Sequence, residues 1–222
     1  MQTRQLKIRL VIEIVVLVLL TTLFLLVFPK RHIFIDVSLA FFALGLLALD
    51  ARFTRTQVWA RIPSQVPERE RLQKCLSTVI PVTVLLLVVC FIAGFSIGYM
   101  QAGWDAAMAR VENWRIFLAV AFYLPWALLQ QTLFQFYLFG RLLTLFPAWL
   151  AVACTALAYG LVHLPDPVLS AFTALAGIFW SYVYNRYRRL LPLAVSHACL
   201  GAAFHYWVYG LDLAREWRAL FG

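Results

Sequence analysis

Residues 75–100 run without a single charged side chain. A helix needs about 20 predominantly apolar residues to cross the hydrocarbon of a bilayer. This one stretch therefore decides the solvent in which the chain folds. Six further apolar runs of comparable length accompany it, so that seven are expected to span: residues 8–28, 33–49, 75–100, 115–140, 146–164, 167–184 and 190–209. Composition agrees, with 64% hydrophobic and 13% charged residues and a mean hydropathy of +0.83. Such a balance excludes a soluble domain and leaves a multi-span membrane protein. The expected fold is all-α, a polytopic integral membrane helical bundle of seven or eight transmembrane helices. No stretch outside the runs is long enough to fold alone, so residues 1–222 read as a single membrane domain with the lipid bilayer as first partner.

A formal net charge of +9 in a soluble chain would suggest nucleic acid. Here no nucleic-acid motif accompanies it, and the basic residues gather in the short connections. Orientation in the membrane and contact with anionic headgroups account for that pattern. With a cytoplasmic N-terminus, Arg4, Lys7 and Arg9, the six basic residues of 50–74, then Arg141, Arg186, Arg188 and Arg189 fall inside. These are thirteen of the nineteen Lys and Arg. The bias places the N-terminus in the cytoplasm, and the expected location is a bacterial-type inner (plasma) membrane. Residues 50–74 mix Phe53, Val58, Trp59 and Ile62 with arginines. They read as a cytoplasmic segment lying in the interface, broken at Pro63 and Pro67. The tail from Leu211 reads as interfacial too. The run from Leu10 to Phe28 lacks a small-residue cleavage site and reads as an uncleaved first span. Trp104, Trp114, Tyr206, Trp207 and Tyr209 fall near run ends, where rings anchor at the headgroups or pack. Cys75, Cys90, Cys154 and Cys199 lie in or beside apolar runs without metal-ligand spacing, as small buried hydrophobes do.

Three polar points interrupt the apolar runs. Gln130, Gln131 and Gln135 form the first; Gln131 and Gln135 are one α-helical turn apart and are expected to share a face. Tyr159 and His163, again four residues apart, form the second. His197, Gly201 and His205 form the third, on one side of the last run. An interhelical hydrogen bond of about 0.6–2 kcal/mol would explain one such glutamine. Three within six residues, with histidines on other spans, point to a shared site. Two carboxylates lie within reach of this pattern along the chain: Glu13 in the first run and Asp166 after His163. Zinc through His163 and His197, with His205, is the cofactor these residue types allow. The spacing lacks the tight, supported cluster such sites use, so the expected cofactor is none.

The order of these points resembles the CPBP family of intramembrane proteases, which includes the CAAX prenyl endopeptidases and the bacterial Abi-type proteins. That family reads Glu-Glu-x-x-x-Arg on one span, Phe-x-x-x-His on the next and His-x-x-x-Asn on a later one. This chain reads Gln130-Gln131-x-x-x-Gln135, Tyr159-x-x-x-His163 and His197-x-x-x-Gly201. The run from Gly177 to Tyr184, followed by Leu190 to His197, is similar to the stretch that separates the last two motifs. The resemblance covers residues 122–204, a CPBP/CAAX-protease-like core.

The resemblance implies an intramembrane endopeptidase acting on a peptide or membrane-protein substrate. Gln130, Gln131, His163 and His197 then stand at catalytic positions, and Gln135, Tyr159, Gly201 and His205 at binding positions. In the family the first Glu activates a water, while the histidines and the Asn orient that water and stabilise the oxyanion. Gln130 holds that Glu position, and a neutral amide takes no proton at neutral pH. Either an imidazole of His163 or His197 serves as base, or the chain is a catalytically inactive pseudoprotease that binds a peptide or membrane-protein partner in the same cavity. A transporter or channel subunit would need relay charges that most of the runs lack.

Overall fold

The computed structural model describes residues 5, 7, 8, 10–16, 19, 41, 45, 67–164 and 166–211. Among these, every regular element is helical. Helix α1 is Glu68–Ala102, α2 is Trp104–Val111 and α3 is Arg115–Gln131. A π-helical stretch, Thr132–Phe139, carries α3 on into α4, Gly140–Leu145. Then come α5 (Ala148–Leu161), α6 (Pro167–Tyr187) and α7 (Leu190–Ala203), the last running on into a second π-helical stretch, Phe204–Val208.

Three helices are long and apolar enough to cross a membrane: Glu68–Ala102, Arg115–Leu145 and Pro167–Tyr187. Ala148–Leu161 is a shorter apolar helix. The chain is an integral membrane protein. The expected runs 75–100, 115–140 and 167–184 each lie within one of the three. Runs 8–28 and 33–49, the interfacial segment as far as residue 66, and the tail beyond residue 211 lie outside the described residues, apart from the N-terminal positions named above.

Two boundaries differ from expectation. Residues 68–74 open α1 instead of closing an interfacial segment. Glu68 and Glu70 occupy its first turn, where carboxylates complement the helix dipole, and Glu70 pairs with Lys74 one turn on, at 2.7 Å. Residues 104–111, read as a connection, form α2. Gly103 takes a left-handed backbone (φ 81°) that glycine adopts without strain, and Ala107 and Val111, four apart, turn one face of α2 inward.

The chain divides into two compact units, Pro67–Gln131 with Tyr187–Gly222, and Met1–Val66 with Thr132–Arg186. In the first, small residues on α1 set the packing. A Cβ on Gly94 would strike the backbone carbonyl of Trp207, and one on Gly98 would come within 2.8 Å of Ala107 Cα. Trp207, half-buried, meets Phe91 edge-on at 5.5 Å, and Tyr206 is buried. Thr83 donates to Ser196 at 2.8 Å. In the second unit, Gly177 brings α6 against α5, where a Cβ would lie 3.0 Å from Ala156 Cα. The Tyr159 ring stacks on Phe134 at 4.1 Å and meets Trp180 at 5.5 Å.

Arg141 was expected in a connection. It is instead 1% exposed, because the helix continues to Leu145. Its Nε binds Glu13 Oε2 at 2.9 Å and its guanidinium lies 3.4 Å over the Tyr137 ring. Glu13 is thereby engaged in an ion pair.

Candidate functional site

The glutamines sit where helix geometry changes. The backbone is α-helical to Gln131 and π-helical from Thr132. A π-helix bonds i to i+5, is rare, and occurs frequently at functional sites. Gln131 and Gln135 are both buried, and the two amides take separate partners.

In the first unit, the Nε2 of Gln131 lies 3.5 Å from His197 Nδ1, a long contact at the outer edge of hydrogen bonding. Gln131 is 0% and His197 3% exposed. An amide NH2 only donates, so in this orientation Nδ1 accepts and the neutral imidazole carries its proton on Nε2. The Oε1 of Gln131 is buried and accepts no hydrogen bond from the described residues. Gln130 is half-buried, and its Oε1 accepts from the Tyr123 hydroxyl at 3.4 Å. The Tyr123 ring stands edge-on to His197, centroids 5.8 Å apart. Gly201 lies beneath that ring. His205 turns its Nδ1 back to the Gly201 carbonyl, 3.1 Å away, within its own helix.

In the second unit, Gln135 Nε2 donates to Ser181 Oγ at 3.1 Å, and Gln135 Oε1, also buried, accepts no hydrogen bond from the described residues. His163 Nδ1 lies 2.7 Å from the Tyr159 carbonyl. A carbonyl only accepts, so Nδ1 carries the proton and Nε2 is the acceptor of the neutral ring. Asp166 is a helix cap: its Oδ1 accepts from the backbone N–H of Val168 and of Leu169, each at 3.0 Å.

The structure therefore brings Gln130, Gln131, His197, Gly201 and His205 into one unit, and Gln135, Tyr159 and His163 into the other. Among the described residues no group of three or more His, Cys, Asp or Glu is placed to hold a metal ion, so no step is assigned to zinc. Sequence reasoning missed Tyr123 and Ser181. Tyr123 had a signal: it precedes Gln130 by seven residues, two α-helical turns, and so shares its face. Ser181, 46 positions from Gln135, had none.

The fold and these buried polar clusters define a helical integral membrane protein that carries imidazoles and amides inside an apolar interior. The family model described as type II CAAX prenyl endopeptidase Rce1-like matches residues 112–203, and the match supports membership of the CPBP/CAAX protease family. It takes in every candidate position except His205. No curated protein and no solved structure matches the chain.

Proposed function

We propose that the chain is a CAAX-type membrane endopeptidase that uses an imidazole where the family uses a carboxylate. The observation that supports this reading is the buried contact of Gln131 with His197 inside the family-matched stretch. Packing alone gives no reason to place an amide and an imidazole in an apolar interior. A buried amide oxygen such as Gln131 Oε1 calls for a donor, and water is the donor that suits it.

In this mechanism an imidazole, that of His163 or that of His197, takes the proton of the attacking water as its oxygen bonds to the peptide carbonyl carbon. The C–N bond then breaks, and that proton passes to the leaving amine. The substrate class is a peptide presented at or in the membrane. The family description points to a prenylated C-terminal CAAX sequence. A cytoplasmic N-terminus in a bacterial-type inner membrane belongs to the same proposal. With Arg141 buried, twelve basic residues remain inside against six outside, and the direction of the bias is unchanged.

One observation favours a second reading. Gln130, Gln131 and Gln135 are all amides where the family carries ionisable groups. On that reading the chain binds a peptide or membrane-protein partner and cuts nothing.

The test is cleavage of a fluorescence-quenched, prenylated CAAX peptide by purified protein in lipid nanodiscs. The first reading expects turnover that falls at least about hundredfold in His163→Ala, in His197→Ala or in each. Cleavage that survives both substitutions overturns it. The second expects peptide binding without turnover, and cleavage that appears with Gln130→Glu, since a general base is worth about 10²–10⁴-fold.

A further inference from the structure

Position 201 carries a steric statement. A Cβ there would lie 2.6 Å from Tyr123 Cε1, 3.3 Å from Cδ1 and 3.4 Å from Cζ. Atoms in van der Waals contact stay about 3.5–4.0 Å apart, so the ring at 123 and the glycine at 201 fit only each other. The family pattern has Asn at this position, and here the space next to α7 is filled by a phenol from α3. The same ring meets His197 edge-on, and its hydroxyl donates to Gln130 Oε1 at 3.4 Å. One side chain thus contacts Gly201, His197 and Gln130, all within one compact unit.

We propose that Tyr123 is a positioning residue of the site. The proposal rests on the peptidase reading above. Its ring holds the His197 imidazole in place by the edge contact, using volume that any side chain at 201 would claim. Its hydroxyl donates to the Oε1 of Gln130 at 3.4 Å, and that contact fixes which way the Gln130 amide points.

Two readouts judge this without reference to peptidase activity. In nanodiscs, NMR of the glutamine side-chain amides should show the Gln130 NH2 resonances displaced in Tyr123→Phe, with the unfolding midpoint held. In a double-mutant cycle, Gly201→Ala should lower the unfolding midpoint in the wild-type background and be tolerated in Tyr123→Ala. An unmoved Gln130 resonance, or an equal cost of Gly201→Ala in both backgrounds, overturns the proposal. Where the wild type cleaves peptide, Tyr123→Phe should lower kcat about tenfold at unchanged KM, one hydrogen bond's worth of orientation; unchanged kcat also overturns it. A wild type that cleaves nothing while the amide resonance and the cycle behave as stated defeats the peptidase reading alone. The positioning of Gln130 by Tyr123 then stands as a property of a binding site.

Discussion

The Nδ1 of His163 lies 2.7 Å from the carbonyl oxygen of Tyr159, one turn earlier in the chain. The Thr173 hydroxyl lies farther from that oxygen, at 3.3 Å, and its single proton has the Leu169 carbonyl at 2.8 Å. With the imidazole removed the Tyr159 carbonyl loses its short donor, a cost of about 1–3 kcal/mol.

With His163 as the base, His163→Ala is expected to unfold within about 3 kcal/mol of wild type while losing at least about hundredfold in peptide turnover. Detergent-phase chemical unfolding and the cleavage assay measure the two separately. Thr173→Val gives the converse: the imidazole keeps its anchor, and turnover should stay near wild type. Equal damage from both substitutions would make His163 a packing residue.

The Glu13 and Arg141 pair gives a prediction about stability. Arg141 is 1% exposed and its partner carboxylate lies 2.9 Å away. Removing one member of a buried pair leaves the other charge uncompensated, which costs about 3–5 kcal/mol. Glu13→Gln should lose stability on that scale, whereas Glu13→Gln combined with Arg141→Met should lose less than Glu13→Gln alone. Unfolding of Glu13→Gln at the wild-type denaturant concentration would show that the Tyr137 ring beneath the guanidinium suffices.

The helices were legible where a single physical requirement acts along the chain. Apolar runs 75–100, 115–140 and 167–184 marked three long helices because lipid demands length and apolarity together. The ends were less legible. The charged residues 68–74 continue a helix by local pairing, and Arg141 is hidden by a carboxylate 128 positions away. The candidate site shows the same split. Polar residues in apolar runs announced themselves, and Gln131 does reach His197. The change from α- to π-helical turns after Gln131 left no pattern to read. Tyr123 was hidden for another reason: an aromatic residue in a membrane span is ordinarily packing, and only the glycine 78 positions later reveals what it packs on.

Two glycines in helices close the set with opposite signs. Gly94 faces the backbone of Trp207, which cannot swing aside as a side-chain end can, whereas a Cβ on Gly140 would meet nothing within 4 Å. Glycine in a helix interior costs roughly 0.5–1 kcal/mol relative to alanine. Gly140→Ala should therefore raise stability by about that amount. At Gly94 the same gain is outweighed by overpacking, typically about 1–3 kcal/mol, because α1 must move off the turn that carries Trp207. Gly94→Ala should accordingly lower the unfolding midpoint, and the Trp207 emission should shift as its ring leaves Phe91, 5.5 Å away. A Gly94→Ala protein as stable as Gly140→Ala, with unshifted emission, would mean that α1 and the Trp207 turn are not in contact.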